Sequence, residues 1–192
     1  ADLPQPLNTY KRVNAHLVLP ITIRVASDPR ILDVVEGILG PDIMIYGAEF
    51  FIKEPNTKHV VTMHQDLTYW GLGATSKMVT VWLALSPATE ESGCMDFVAG
   101  SHKNPILPHE DSFDENNLLS RGQEIAVEVN EADAVDAELK PGEMSIHHGR
   151  VFHASNPNST DDRRIGLAIR YLPTSMKQRP GGQMAAMLVR GE

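Results

Sequence analysis

Residues 144–172 read MSIHHGRVFHASNPNSTDDRRIGLAIRYL, and the second half of this stretch decides the kind of fold to expect. From residue 164 onward the side chains alternate between two classes, as they do on a β-strand with two different faces. One face carries Arg164, Gly166, Ala168 and Arg170. The opposite face is apolar and carries Ile165, Leu167, Ile169 and Tyr171. The pattern predicts a strand between a core and a cavity, and the preceding turn, NPNST, predicts a hairpin that returns Arg164 beside the strand of His153.

Short strand signals recur through the rest of the chain and are separated by turn residues. They lie at Ile43–Lys53, Val60–Met63, Val79–Leu85, Met95–Val98, Ile125–Val129 and Met144–His148. One helix is indicated between Asp28, which can cap it, and Gly40, with Pro29 at its first position. The pattern predicts a mainly β fold with flanking helices, a β-sandwich or jelly roll. The polar stretch from Pro108 to Gly122 predicts a long loop that is either a functional lid or locally disordered.

The composition fits one globular domain and argues against several classes of partner. The chain has 192 residues, of which 42% are hydrophobic and 22% charged, with a formal net charge of -8. An acidic chain is a poor match for nucleic acid or an anionic membrane. Cys94 is the single cysteine, so no intramolecular disulfide can form, and no apolar run approaches the ~20 residues of a membrane helix. We therefore expect a cytoplasmic protein.

A histidine and a carboxylate stand two positions apart in VTMHQDLTYW, residues 61–70. In extended chain, His64 and Asp66 point to the same side and could bind one ion together. Two histidines and one carboxylate form the facial triad of non-haem Fe(II) oxygenases, which leaves positions open for other ligands. The third ligand would come from a late strand, where His147, His148 and His153 are all candidates. His102 and His109 lie in loop-like sequence and are expected to be solvated.

The sequence allows two hypotheses about the role of Arg164. Near an iron site, its guanidinium could bind the far carboxylate of a dicarboxylate co-substrate. The charges would then sum to zero, with iron and Arg164 balancing Asp66 and 2-oxoglutarate. The alternative is a surface ion pair with Asp161 or Asp162.

Several blocks of the sequence resemble, in order, those of the phytanoyl-CoA dioxygenase family. They are HQDLTYWGL (64–72), VWLALSPATEESGCMDFVAGSHK (81–103), KPGEMSIHHGRVFHASNPN (140–158) and RRIGLAIRYLP (163–173). Weaker similarity extends upstream, so the resemblance covers nearly the whole chain. It implies an Fe(II)- and 2-oxoglutarate-dependent oxygenase on a double-stranded β-helix, a cupin-like jelly roll, in one domain over residues 1–192. Family members are usually longer at both ends, so we expect parts of both ends to be missing here.

The resemblance also implies roles for individual residues. His64, Asp66 and His153 match the metal ligands, and Arg164 matches the arginine that binds 2-oxoglutarate. Ser155 and Trp82 match positions that line the co-substrate pocket. His147 and His148 would point to opposite faces of their strand and would not be ligands. Tyr69, Trp70 and the loop from Pro108 to Gly122 are candidates for the substrate side.

The retained carboxylate of Asp66 bears on the reaction, because halogenating relatives replace it with a small residue. Hydroxylation of a small organic substrate or another oxidation, with O2 consumed and succinate and CO2 released, is therefore favoured over halogenation. Two alternatives remain: an O2-independent divalent-metal enzyme, and a non-catalytic binding protein on the same fold. The identity of the substrate and the oligomeric state do not follow from the sequence.

Overall fold

A computed structural model describes residues 14–68, 70–73, 75–119, 121–129, 134–178 and 185–192. Two α-helices precede the strands: α1 at Pro20–Ala26 and α2 at Pro29–Leu39. The strands are β1 Ile43–Lys53, β2 Val61–His64, β3 Val79–Ala84, β4 Met95–Val98, β5 His109–Asp111, β6 Gln123–Ile125, β7 Ala134–Ala137, β8 Met144–His148, β9 His153–Ser155, β10 Arg164–Pro173 and β11 Met187–Arg190. Short 3-10 helices lie at Ala15–Leu17, Asp66–Thr68 and Ser101–Lys103.

The strands form two antiparallel sheets and one small ribbon. The larger sheet has the order β11-β1-β10-β3-β8, and the smaller sheet has the order β2-β9-β4-β7. Strands β5 and β6 pair as the separate two-stranded ribbon. A cavity between the two sheets is lined by residues of both. The predicted fold class, a mainly β jelly roll with flanking helices, is confirmed.

Strand β10 has the two faces that its alternation predicts. Its apolar face packs with both helices in the main core, where Leu167, Ile169 and Tyr171 join Val35 of α2. The Tyr171 hydroxyl donates to the carbonyl of Ala26 at 2.7 Å and ties α1 to the sheet. The opposite face lines the cavity. Packing of the helices on one face of β10 therefore leaves the face with Arg164 to line the cavity.

Helix α2 begins and ends where its sequence signals predict. The Asp28 carboxylate accepts a hydrogen bond from the Arg30 amide at 2.9 Å, and Pro29 occupies the first turn. Gly40 ends the helix with a φ of +95°, a conformation that glycine adopts without strain.

The predicted hairpin between the strand of His153 and the strand of Arg164 is wrong. Strand β9 pairs with β2 and β4 in the smaller sheet, whereas β10 pairs with β1 and β3 in the larger sheet. The intervening turn crosses from one sheet to the other, and the Asn158 side chain fixes it by donating to the carbonyls of Lys53, Glu54 and Asp162. Arg164 thus approaches His153 across the cavity rather than along a shared sheet.

The region around the expected long loop contains more regular structure than predicted. Strands β5 and β6 pair across it, with His109 opposite Ile125. The strand expected at Ile125–Val129 lies instead at Gln123–Ile125, because its register is set by pairing with β5. The same region also bonds the residue before β2: the Leu118 amide donates to the Val60 carbonyl, and the Val60 amide donates to the Asn116 carbonyl.

Candidate active site

The candidate site lies in the cavity between the sheets, at its polar centre. The smaller sheet contributes His64 and His153, while Asp66 follows β2 in a 3-10 helix. The larger sheet contributes Thr80 and Arg164 from the opposite wall. All five of these residues are buried. Burying polar groups at the centre of a β-sandwich costs free energy unless they are hydrogen-bonded or paired with one another or with a ligand.

His64, Asp66 and His153 are brought together although they come from distant parts of the chain. The His64 Nε2 atom lies 3.6 Å from Asp66 Oδ1, and His153 Nε2 lies 4.0 Å from the same oxygen. One donor atom from each residue falls within 4.8 Å of the other two. Strand pairing accounts for the convergence, because His64 and His153 are register partners in β2 and β9.

Both imidazoles are held in the tautomer that a metal ligand needs. His64 Nδ1 lies 2.8 Å from the Thr62 carbonyl oxygen, and His153 Nδ1 lies 3.1 Å from that of Val151. A carbonyl only accepts, so each Nδ1 carries the proton and donates it. Nε2, the atom nearest Asp66, is therefore the ring nitrogen left to bind a metal, as in metal sites where backbone carbonyls orient the ligand histidines.

The Asp66 carboxylate divides its two oxygens between different neighbours. Oδ1 faces the two histidines, whereas Oδ2 accepts a hydrogen bond from Thr80 Oγ1 at 3.1 Å and lies 3.6 Å from His147 Nε2. Burial alone raises the pKa of Asp66, but His147, His64 and His153 outweigh it, and the pKa lies well below its usual range. The carboxylate is therefore ionised and has one oxygen free for a cation.

The His153 imidazole is neutral at ordinary pH. Burial, followed by the proximity of His64, holds its pKa well below the usual range. Two imidazoles and one ionised carboxylate, all buried, fit a divalent transition metal such as Fe(II). These three donor groups therefore match the ligand preference of Fe(II). Their role as metal ligands stays a prediction.

His147 and His148 point to opposite sides of β8, as the sequence predicts. His147 lines the cavity and is 8% exposed, and neither of its ring nitrogens has a hydrogen-bond partner among the described residues. His148 points away from the cavity, where its Nδ1 accepts from the Arg150 amide at 3.0 Å and its ring lies near that of His102.

Arg164 is buried, which excludes the alternative of a surface ion pair. It is 1% exposed, and in the described part of the chain it forms no ion pair with Asp161, Asp162 or any other carboxylate. Its Nη1 donates to the Phe51 carbonyl at 3.4 Å, and its Nε has no partner among the described residues. Burial lowers the pKa of Arg164 to about 10, so it remains a cation at neutral pH. A buried cation without a counter-ion is costly, and an anionic ligand would offset that cost.

The other two pocket residues named from the resemblance also line the cavity. The Trp82 ring lies 5.3 Å from the Arg164 guanidinium carbon, and Ser155 is 3% exposed. Trp82 lies so close to β10 that a Cβ on Gly166 would come within 2.0 Å of its ring. Glycine at position 166 is therefore what allows the indole to lie against Arg164.

Thr80 and Gln65 are residues of the site that the sequence did not single out. Thr80 could have been found, because it lies two positions before Trp82 and so shares its strand face. Gln65 is fully buried and bonds the backbone of Pro105, Leu107 and Arg150. It ties three segments to the point between His64 and Asp66, and no local pattern signals such a role.

His109 is not solvated as expected. Its Nδ1 donates to the Leu107 carbonyl, and its Nε2 accepts from the Gln65 amide at 3.0 Å. Burial lowers the pKa of His109. This residue fastens the loop to the chain between the proposed ligands.

The residues expected on the substrate side have mixed outcomes. Tyr69 lies outside the described residues. Trp70 packs against a small apolar cluster around Tyr46 and Met78, and its ring lies 4.8 Å from the Arg170 guanidinium carbon. Leu119, from the expected loop, lines the cavity. The lid role of the loop stays a prediction.

Among the residues that the structure describes, no helix has the length and apolar character needed to cross a membrane.

Comparison with known proteins matches this chain to a family. The family model for phytanoyl-CoA dioxygenase (PhyH) matches residues 7–166. A probable phytanoyl-CoA dioxygenase of Caenorhabditis elegans is 25% identical over 158 residues, which make up 79% of this chain and 51% of that protein.

Solved structures agree with the family match. The apo form of the non-heme monooxygenase ThoJ superposes with a TM-score of 0.86 at 37% identity, over 98% of this chain and 68% of ThoJ. The epimerase SnoN, in complex with Fe3+, alpha ketoglutarate and nogalamycin RO, superposes with a TM-score of 0.71 at 27% identity, over 89% of this chain and 66% of SnoN.

The chain spans about half the length of the phytanoyl-CoA dioxygenases that it matches. The family match nevertheless covers most of the chain itself, including the segments that carry His64, Asp66, His153 and Arg164. The chain belongs to the phytanoyl-CoA dioxygenase family.

Proposed function

We propose that this protein is an Fe(II)- and 2-oxoglutarate-dependent dioxygenase that hydroxylates a small organic substrate. One observation carries the proposal: a buried His, Asp, His cluster shares a cavity with a buried arginine that has no carboxylate partner in the described chain. In the overall reaction, a C–H bond, O2 and 2-oxoglutarate give a C–OH bond, succinate and CO2. The bound iron would supply the oxidation of the C–H bond.

His64, Asp66 and His153 would hold the metal. The Thr62 and Val151 carbonyls keep the Nε2 lone pairs of the two histidines available. Thr80 holds the second oxygen of Asp66, so the carboxylate would offer one oxygen rather than two. Three protein ligands leave other positions for a chelating co-substrate and O2, as the proposed reaction requires.

Arg164 would bind the far carboxylate of 2-oxoglutarate. Its guanidinium is preorganised by burial and by the adjacent Trp82 ring, and a carboxylate is the natural bidentate partner of such a group. Ser155 would add a hydroxyl at the same end of the pocket. The SnoN complex, which contains alpha ketoglutarate, is consistent with such a co-substrate in this fold.

The cavity walls would exclude water from the reacting centre. Phe51, Val61, Met95 and Leu119 surround the polar residues with apolar surface. Exclusion of water strengthens the charge interactions of the site and protects a reactive oxidant from side reactions.

The test is 2-oxoglutarate turnover by purified protein with Fe(II), O2 and a panel of small organic molecules, read as succinate release. We expect stimulation by the substrate, and loss of turnover in Asp66→Ala and His153→Ala with retention in His148→Gln. Product analysis would distinguish hydroxylation from other oxidations, which matters because SnoN is an epimerase.

The two alternatives predict different results. An O2-independent metal enzyme would act under anaerobic conditions and would be indifferent to Arg164→Ala. A non-catalytic protein would bind a ligand without releasing succinate. The buried Arg164, which lines the same cavity as the three proposed metal ligands, favours the oxygenase over both.

A further inference from the structure

Lys53 is a second buried cation at the end of the pocket where Arg164 lies. It is the last residue of β1 and the register partner of Arg164 on β10, so both side chains leave the larger sheet on the same side. Lys53 is 0% exposed. Lysine is almost never fully buried unless it is paired, so the burial of Lys53 needs an explanation from its contacts.

The Lys53 side chain crosses the sandwich and contacts the smaller sheet. Its Nζ donates to Ser155 Oγ at 2.8 Å and also to the carbonyl oxygen of Asn156. Gly93 leaves room for it, since a Cβ there would lie 3.0 Å from Nζ.

These contacts fix the direction of the Ser155 hydroxyl proton. While Lys53 is protonated, its ammonium group can only donate, so Ser155 Oγ accepts from it. The hydroxyl proton of Ser155 is then free to be donated elsewhere. Ser155 and Arg164 both line the cavity, so this proton can serve an acceptor that also faces the guanidinium.

The charges at this end of the cavity call for an anion. Within the described ranges, no carboxylate lies within 4 Å of the charged groups of Lys53 or Arg164. Unpaired buried cations destabilise a fold, and a carboxylate ligand would remove that cost. The Ser155 hydroxyl, which lines the same cavity as Arg164, can donate to such a ligand as well.

We propose that Lys53 is a positioning residue of the co-substrate site, and that it orients Ser155 to donate to the carboxylate that Arg164 binds. The inference rests on the proposed function, because it assigns the far carboxylate of 2-oxoglutarate to this end of the cavity. Lys53 acts through Ser155.

The test compares two keto acids that differ only at the far end. 2-Oxoglutarate has the second carboxylate, whereas 2-oxobutyrate has the same chelating end without it. Calorimetric titration of the Ni(II)-loaded protein measures the affinity of each without turnover. We expect Lys53→Met to weaken 2-oxoglutarate binding by about 10-fold or more and to leave 2-oxobutyrate binding unchanged.

A double-mutant cycle tests whether Lys53 acts through Ser155. If it does, Ser155→Ala weakens 2-oxoglutarate binding by a similar factor, and Lys53→Met adds little to the Ser155→Ala variant. Additive losses would show that Lys53 acts by another route and would overturn the proposal.

Affinity measured against pH provides a readout that a purely structural role would not produce. Burial, followed by the charge of Arg164, lowers the pKa of Lys53 to about 7, while Asp96 and Cys94 are the other charged or titratable groups that act on it. A dianion favours the protonated lysine, so 2-oxoglutarate affinity should fall as pH rises above about 7. Lys53→Met should abolish that decline.

The other outcomes are decisive as well. If Lys53→Met weakens the binding of both keto acids equally, Lys53 has only a structural role and the proposal is wrong. If it weakens the binding of neither, Lys53 has no role in co-substrate binding. If the wild-type protein binds Ni(II) but neither keto acid, the proposed function itself fails. If it binds both and the variant matches it, only the present inference fails.

Discussion

The position of the ring proton determines whether His64 and His153 can bind a metal through Nε2. In each ring the proton sits on Nδ1 because a backbone carbonyl two residues earlier accepts it. His147, by contrast, has neither ring nitrogen bonded within the described chain, and His148 faces away from the cavity. Of these four histidines, His64 and His153 combine a backbone-bonded Nδ1 with an Nε2 that faces Asp66 Oδ1, the geometry expected of metal ligands.

Replacing a proposed ligand should remove metal binding, and replacing a neighbour should not. We expect His153→Gln to weaken Fe(II) or Ni(II) binding by more than about 100-fold, because one of three protein ligands is lost. The matched control, His148→Gln, changes a histidine five positions away that does not face the cavity. Metal titration by calorimetry gives both values, and comparable losses in the two variants would contradict the assignment.

The Thr80 hydroxyl should matter to the metal although it does not touch it. Thr80→Val keeps the volume but leaves Asp66 Oδ2 without its 3.1 Å hydrogen bond. We expect metal affinity to fall by about 10- to 100-fold, the usual range for groups that orient a ligand.

Thr22→Val provides the control for Thr80→Val. The Thr22 hydroxyl in α1 is also buried but has no hydrogen-bond partner in the described part of the chain. Its replacement should leave metal affinity unchanged and should not lower the free energy of unfolding. A normal metal affinity in Thr80→Val would show that Asp66 needs no support on that side.

Among the secondary-structure elements, β10 combines a core face and a site face in one strand. Both faces were predictable from alternation alone, since the period of a strand is two. The partners of β10 were not predictable in this way. A turn such as NPNST indicates that the chain reverses, but not whether it returns to the same sheet. Here Asn158 ties the turn to β1 and directs β10 into the larger sheet.

The close contact between β10 and Trp82 can be tested with two glycines. Gly166→Ala would force its Cβ into the indole and should lower the free energy of unfolding by about 1–3 kcal/mol. It should also weaken 2-oxoglutarate binding, because Trp82 lies beside Arg164.

Gly37→Ala is the matched change in α2, where an added Cβ meets nothing within 4 Å. There we expect a gain of about 0.5–1 kcal/mol from the better helix propensity of alanine. Chemical denaturation measures both changes. A neutral Gly166→Ala would mean that Trp82 can move away without cost.

Over the whole molecule, the site is assembled from strands that are far apart in sequence. The resemblance of ordered sequence blocks to a family identified His64, Asp66, His153 and Arg164, and the fold brings these four residues to one cavity. Lys53 could not be found from its surroundings in sequence. It becomes interpretable only when the pairing of β1 with β10 places it beside Arg164.

The overall charge of the chain is a poor guide to this cavity. The formal net charge is -8, yet Lys53, Arg164 and Arg170 all lie in or against the pocket. The acidic residues that give the negative total are mainly on the surface, where they are solvated. A local concentration of buried cations therefore decides which ligand fits, and composition averages it away.

The most direct test of the account is spectroscopic and needs no substrate. Fe(II) and 2-oxoglutarate are added to the protein under anaerobic conditions, and the visible charge-transfer absorption of a keto acid chelated to Fe(II) is followed. We predict that the band appears in the wild-type protein and in His148→Gln, is lost in His153→Ala, and needs much more 2-oxoglutarate in Arg164→Met. Absence of the band in the wild-type protein, or its persistence in His153→Ala, would contradict the central claim.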